Sequence, residues 1–290
     1  MTRRHFVAGL AATAASAAGQ PRPPAPPRVR TGPLLCLYSR LVPEIDYSQL
    51  GTVLSGLGFD GCDLSVERGG TVEPAESPVD LVRAIEIFSG SGIELPVITT
   101  SFLNIGEPWA RNCLGLAGRS GVPFFRTGYS RLPAARLAEH RYELDGLAAY
   151  GRAAGMGIGL PYPGSEALIR DMDPQWTGYD FDTALGTTQG SVTAALPRIR
   201  MISLRDIRRQ GDRNVPCPLG EGVVDWPAFF ATLAHARFSG PLTIQIDYQA
   251  EDRLQAIKKD LAFARKLLTA AYQKEAEPPT SLRPSAAPLA

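Results

Sequence analysis

The segment SGIELPVITT, residues 91–100, contains the pattern that decides the fold: a Gly at a helix end, an apolar residue beside it, and then a short apolar strand. Gly just past a helix end adopts the left-handed conformation that closes the helix. A short continuous apolar run is typical of a strand whose two faces are both buried in a parallel sheet. The segment therefore predicts a helix followed by a buried parallel strand.

The same pattern recurs along the chain, at Gly58 in LGFDGCDLSV, Gly121 in SGVPFFRTGY, Gly155 in AGMGIGLPY and Gly240 in ARFSGPLTIQIDY. Eight strands are predicted in total, over residues 34–39, 61–66, 95–100, 123–128, 157–162, 176–182, 200–206 and 242–247. The clearest helical patterns between them cover residues 78–90, 133–154, 226–237 and 251–273. This alternation predicts an α/β fold, a single-domain (β/α)8 TIM barrel. The alternative is a doubly wound open sheet, which the lack of a GxGxxG or Walker loop after the first strand disfavours.

The two ends of the chain are expected to lie outside the barrel. Residues 1–19 place Arg3 and Arg4 before a short apolar run and a small-residue cleavage pattern, which predicts an export signal peptide. The stretch TRRHFV within it resembles a twin-arginine motif. The Pro-rich residues 20–32 are predicted to be a linker and residues 274–290 a disordered tail, which leaves 33–273 for the barrel. We expect a periplasmic or extracellular protein without a stable membrane anchor.

The composition excludes some classes of function. The chain has 290 residues, 44% of them hydrophobic, and a net charge of +1, so its charge does not indicate a nucleic-acid partner. The sequence leaves the oligomeric state open. The cysteines form no CxxC pair and are interpreted as small buried residues, with one disulfide as an alternative outside the cytoplasm. They are Cys36, Cys62, Cys113 and Cys217.

Candidate functional residues follow the strands, because a TIM barrel carries its active site at the C-terminal ends of its strands. Asp182 and Asp247 end the sixth and eighth predicted strands and are the predicted catalytic carboxylates. Asp180 lies on the same face as Asp182, and we expect an arginine or a buried hydrogen bond to hold it. The predicted substrate-binding residues are Tyr38, Glu67, Arg126, Tyr162, Arg205 and Gln245.

Two of these interpretations have structural alternatives. Arg126 is either a substrate ligand or the ion-pair partner of a strand aspartate. Asp206 is either a functional carboxylate or the partner of Arg205, or a turn cap. Asp225 precedes the 226–237 helix and is predicted to be its N-cap.

Several stretches together resemble the sugar phosphate isomerase/epimerase family, also described as xylose isomerase-like TIM barrels. The resemblance covers residues 34–273 and is strongest in GFDGCDL and PLGEGVVDWPAFF. It also draws on ITTSF, VPFFRTGYSR, WTGYDFDTA and SLRD. It implies an enzyme that moves a proton next to a sugar carbonyl, with a divalent metal and two carboxylates.

The resemblance also implies four metal ligands: a Glu on strand five, an Asp on strand six, a His on strand seven and a Glu on strand eight. Here the strand-six position is Asp182 and the strand-eight position is Asp247. Ser203 stands at the His position, and GLPYPG offers no carboxylate on strand five. Leu185 stands where a close branch of the family has a His. The sequence therefore predicts a reduced Mg²⁺ or Mn²⁺ site formed by Asp182, Asp247, Asp206 and Glu221.

Three functions compete at this point. The first is a metal-assisted sugar isomerase or epimerase. The second is an exported barrel without catalysis that binds a sugar or polyol. The third is a glycoside hydrolase that uses Asp182 with Asp247 or Glu221. The related DNA-repair endonucleases are excluded, since their zinc cluster is rich in histidine and none of His5, His140 and His235 follows a predicted strand.

Overall fold

The structure is a computed structural model that describes residues 32–131, 140–186 and 189–276. The predicted signal peptide lies outside the described residues, and so do residues 20–31 of the predicted linker and 277–290 of the predicted tail. Among the described residues, no helix combines the length and the apolar character that crossing a membrane requires.

Eight parallel strands close into a barrel, which confirms the predicted fold. Each strand pairs with its neighbours in chain order, and the last pairs with the first, so the barrel has no open edge. The barrel strands are β1 Leu35–Tyr38, β2 Gly61–Ser65, β3 Glu94–Thr99, β4 Phe124–Arg126, β5 Gly157–Tyr162, β6 Thr177–Asp182, β7 Ile199–Leu204 and β10 Leu242–Ile244. Between β7 and β10 the chain forms an antiparallel hairpin of β8 Asp206–Gln210 and β9 Arg213–Cys217.

Helices connect the strands and cover the outside of the barrel. The longest one follows the last strand and ends at Ala276, three residues beyond the boundary predicted for the barrel. The helices are α1 Tyr47–Leu57, α2 Ser77–Gly90, α3 Ala110–Arg119, α4 Arg141–Ala153, α5 Glu166–Ile169, α6 Gln189–Ala195, α7 Trp226–His235 and α8 Arg253–Ala276. Asp225 caps α7 by accepting from the Ala228 amide at 3.1 Å, as predicted.

The glycines of the recurring pattern close helices as the sequence predicts. Gly58 follows α1 with φ of 97°, and Gly92 follows α2 with φ of 69°, a conformation that disfavours residues with a Cβ. Gly240 has a different reason to be Gly: a Cβ there would lie 2.3 Å from the carbonyl oxygen of Arg200. The pattern thus combines two physical requirements, a left-handed turn and a close backbone approach.

The alternation along β6 separates the core from the barrel interior. Phe181 is fully buried and stacks on Phe229 of α7, with ring centroids 6.2 Å apart, in the apolar layer between sheet and helices. Asp180 and Asp182 therefore point to the opposite face, into the barrel. The four cysteines are buried and unpaired, in agreement with their interpretation as small buried residues.

Candidate functional site

An ion cluster fills the barrel interior around Arg126. The Arg126 side chain is only 3% exposed; its Nε donates to Asp180 Oδ2 at 2.7 Å, and its Nη1 donates to the fully buried Asp63. Thr99 Oγ1 donates to Asp63 at 2.7 Å, and Ser203 Oγ donates to Asp180 at 3.0 Å. Arg126 therefore pairs with strand aspartates across the barrel, which agrees with the ion-pair interpretation of this residue rather than with substrate binding. Asp180 is held by an arginine, as expected.

Gln245 connects this cluster to the C-terminal end of the barrel. It follows β10 directly, is half-buried, and donates from Nε2 to Ser203 Oγ at 3.0 Å. Ser203 thus accepts from Gln245 while it donates to Asp180. The hydroxyl at the position where the resemblance implies a His is therefore engaged in the interior network.

Asp182, Arg205 and Asp247 form a second cluster at the barrel mouth, which we call the mouth triad. Arg205 Nη1 donates to Asp182 Oδ2 at 2.6 Å, and Arg205 Nη2 pairs with Asp247 Oδ2. The side chains of Asp182, Arg205 and Asp247 are 14%, 29% and 38% exposed. The structure thus brings the two predicted catalytic carboxylates together, through one guanidinium group.

Hydrogen bonds of the strand ends fix the orientation of the mouth triad. The second oxygen of Asp182, Oδ1, accepts from the Ala184 amide at 2.9 Å. The fully buried Thr183 accepts at Oγ1 from the Arg205 amide at 2.8 Å and donates from Oγ1 to the Arg205 carbonyl at 2.6 Å. Burial raises the pKa of Asp182 above its ordinary value, and the attraction of Arg205 only partly opposes this. A carboxylate with a raised pKa accepts protons more readily than an ordinary one.

Glu67 is the centre of a third group, beside β1 and β2. Its Oε1 accepts from Tyr38 Oη at 2.9 Å, Arg40 Nη1 at 2.7 Å and Ser65 Oγ at 3.0 Å. Glu67 is fully buried, whereas the Arg40 side chain is partly exposed. Two of the predicted substrate-binding residues, Tyr38 and Glu67, are therefore in direct contact, and Arg40 joins them through the same Glu67 oxygen.

Tyr162 lies apart from both clusters. Its ring stacks on Phe181 with centroids 5.4 Å apart, and it lies 4.8 Å from the ring of Tyr179. Both partners lie on the helix-facing side of β6, so Tyr162 packs outside the barrel rather than beside Asp182. The alternation of side chains along β5 is a sequence signal for this position: Pro161 is in register with the inward Asp180, so the next residue, Tyr162, faces the helices.

Asp206 is used by the loop after β9. It is buried, and its Oδ2 accepts from the Gly220 amide at 3.0 Å, the Gly222 amide at 3.2 Å and Trp226 Nε1 at 2.8 Å. A Cβ at Gly222 would lie 2.1 Å from Asp206 Oδ1, so the loop fits closely around the carboxylate. Asp206 therefore acts as the anchor of this loop.

The predicted metal set is not assembled in the part of the chain that the structure describes. Glu221 is partly exposed and pairs with Arg208 at 2.9 Å and Lys259 at 2.8 Å, while Asp206 anchors its loop. No three His, Cys, Asp or Glu side chains among the described residues are grouped so that they could hold a metal ion. Asp182 and Asp247 both direct an oxygen at Arg205, which is a cation already. The residues present therefore do not fit a divalent ion with four protein ligands.

Asp260 on α8 anchors the same loop from the other side and gives a pH-dependent stability. It is 1% exposed and accepts from Tyr248 Oη at 2.9 Å and from the Leu219 amide at 3.3 Å. Burial raises its pKa to about 6. The folded protein therefore binds this proton more tightly than the unfolded chain, so its stabilising effect is present at low pH and is lost as the pH rises through about 6.

We expect Asp260→Asn to remove this dependence. Between pH 4 and pH 7 the free energy of unfolding of the natural protein, relative to that of the variant, should fall by roughly 2–3 kcal/mol. Urea unfolding of both proteins at several pH values measures the difference. A Glu251→Gln variant, changed at an exposed carboxylate, serves as the control and should follow the natural protein. A constant difference across this pH range would contradict the prediction.

Comparisons with known proteins agree with this fold. A family model described as Xylose isomerase-like TIM barrel matches residues 165–267. No curated protein matches the chain by sequence.

Solved structures match over most of the chain. A xylose isomerase-like TIM barrel protein from Mycobacterium smegmatis in complex with magnesium is 16% identical, with a TM-score of 0.64 over 83% of this chain and 98% of that one. D-Psicose 3-epimerase with D-tagatose from Clostridium cellulolyticum H10 is 13% identical, with a TM-score of 0.62 over 81% and 99%. A xylose isomerase domain protein from Planctomyces limnophilus is 18% identical, with a TM-score of 0.63 over 84% and 99%. The chain therefore has the closed TIM-barrel fold of these structures, and its residues 165–267 match the family model described as Xylose isomerase-like TIM barrel.

Proposed function

We propose that this protein is a sugar isomerase or epimerase that acts on a ketose bound at the barrel mouth. The observation that carries the proposal is the mouth triad, which holds two carboxylates and a guanidinium at the C-terminal ends of the strands. This end of a TIM barrel is where active sites occur. Structural neighbours with the same barrel include a D-psicose 3-epimerase, which supports a ketose as the substrate class.

In the proposed reaction Asp182 is the base. Its carboxylate takes the proton from the carbon next to the ketose carbonyl, the C–H electron pair forms a C=C bond, and the carbonyl π electrons move onto oxygen. Reprotonation of that carbon on its other face gives the epimer. Reprotonation of the former carbonyl carbon gives the isomer, with one hydroxyl proton moving between the two oxygens. No oxidant or reductant is required.

Asp247 is proposed to carry the second proton. It is the more exposed carboxylate of the mouth triad, so it exchanges protons with water more readily than Asp182. Tyr38 is proposed to bind a sugar hydroxyl, and the buried Glu67, which accepts from the Tyr38 hydroxyl, is proposed to position it. A divalent ion in a metal-dependent member of this fold polarises the carbonyl, but the residues here do not fit such an ion, and no step of this proposal uses one.

The test is a proton-exchange assay with the natural protein. D-Psicose, D-tagatose and D-fructose are incubated with the protein in D₂O, and proton NMR follows both the loss of the C–H signal next to the carbonyl and the formation of product. We expect deuterium to enter that position and an epimer or aldose to accumulate. If the sugars raise the melting temperature but no exchange occurs, the proposed catalysis is refuted in favour of sugar binding alone.

A further inference from the structure

The most informative feature of the mouth triad is the position of its cation. Arg205 directs Nη1 at Asp182 and Nη2 at Asp247, so the two carboxylates that belong to different strands meet on one guanidinium. Arginine is always charged in proteins, and its planar fork matches two carboxylates at once. The two carboxylates therefore share one positive charge.

Hydrogen bonds from a neighbouring strand end fix the backbone of Arg205. Thr183, which immediately follows Asp182, bonds to both the amide and the carbonyl of Arg205. Asp182 is itself fixed by the Ala184 amide through the oxygen that does not contact Arg205. The base and the cation are thus tied to the same short stretch of chain at the end of β6, which sets their geometry before a substrate arrives.

The surrounding residues favour a guanidinium over a divalent ion. Mg²⁺ and Mn²⁺ need several oxygen ligands. Pro161 on β5 is in register with Asp180 and faces the barrel interior, but its side chain has no oxygen to offer a metal ion. Ser203 on β7 donates to Asp180 and accepts from Gln245 in the interior network. Among the described residues, a divalent ion at the mouth would find the two triad carboxylates but no third His, Cys, Asp or Glu grouped with them, and it would have to approach them against the charge of Arg205.

We propose that Arg205 is the resident cation of the barrel mouth and takes the charge-stabilising role that a divalent ion fills in metal-dependent sugar isomerases. The proposal rests on the function proposed above. A guanidinium has five N–H donors, and the two carboxylates require two of them. The others supply hydrogen bonds to the ketose oxygen on which negative charge develops when Asp182 removes the neighbouring proton. Arg205 thus makes the reaction independent of metal.

Mn²⁺ binding tests the proposal without relying on turnover. Electron paramagnetic resonance of free Mn²⁺ is measured during titration of the natural protein, Arg205→Ala and Arg205→Gln. We expect no stoichiometric site in the natural protein, because its cation position is filled. Removal of the arginine charge should let Asp182 and Asp247 bind one Mn²⁺ at least about tenfold more tightly. The double variant Arg205→Ala/Asp182→Asn should lose that gain.

The controls separate this inference from the proposed function. Arg208 also pairs with a carboxylate, Glu221, which is not part of the mouth triad, so Arg208→Ala should leave Mn²⁺ binding unchanged. If the natural protein binds one Mn²⁺ and Asp182→Asn abolishes it, Arg205 is not the resident cation, even if ketose exchange is observed. If neither Arg205 variant gains affinity for Mn²⁺, the proposal that Arg205 occupies the cation position is also refuted. If the variants bind Mn²⁺ more tightly but no ketose reacts, Arg205 is still the resident cation of the mouth, whereas its role in catalysis fails together with the proposed function.

In the exchange assay, the same inference predicts a dependence on the guanidinium itself. Arg205→Ala should lose most of the deuterium exchange, and added guanidinium ion should restore part of it. EDTA should leave the rate of deuterium exchange by the natural protein unchanged.

Discussion

Arg126→Met is expected to lower the free energy of unfolding by about 3–5 kcal/mol, the range observed when one partner of a buried ion pair is removed. The substitution retains much of the side-chain length but leaves Asp63 and Asp180 inside the barrel without their cation. Asp63 is fully buried, so its charge has no access to water. Urea unfolding followed by circular dichroism measures the change.

A charge-neutral variant distinguishes the electrostatic cause from lost packing. Arg126→Met combined with Asp63→Asn and Asp180→Asn removes the buried charges together, and we expect it to recover much of the lost stability. Arg141→Met is the matched control, since Arg141 forms a partly exposed pair with Asp145 and should cost less than about 1 kcal/mol. If the triple variant is no more stable than Arg126→Met, packing rather than charge explains the loss.

The fold was predictable because its signals are local. The helix-closing turns at Gly58 and Gly92 and the short apolar strands each depend on a few neighbouring residues, so they can be read without knowing the partners. The inward position of Asp180 and Asp182 follows from the period of two alone. The hairpin β8–β9 was missed, although the two-residue loop at Gly211, whose φ is 59°, carried a signal.

The site was less predictable because it depends on pairing across strands. Asp206 and Asp247 both end or follow strands and look alike in the sequence, yet one anchors a loop through backbone amides and the other meets Arg205 at the mouth. The twist of the barrel and the loop lengths decide which carboxylates meet. Sequence position gives the end of the barrel on which a residue lies, but it does not give the partner that takes up its charge.

Asp182→Asn is expected to lower the rate of deuterium exchange into a ketose by about 10²–10⁴, the usual contribution of a positioned general base. The amide has the size of the carboxylate but cannot take up the proton. Because the change acts on proton removal, kcat should fall more than the KM for the ketose rises. Rates are measured by NMR at several concentrations of the sugar that the natural protein exchanges.

The interpretation of that result depends on whether the mouth triad survives the change. Asp182 and Asp247 contact Arg205 from opposite sides, so the variant leaves the guanidinium one charged partner. The variant should therefore fold and show a cooperative urea unfolding transition like that of the natural protein. Asp212→Asn, an exposed change in the hairpin loop, is the control and should leave the exchange rate within about twofold. If the Asp182→Asn protein is folded and still exchanges deuterium at the natural rate, another carboxylate is the base. Asp247, the other carboxylate of the triad, would then be the next to replace.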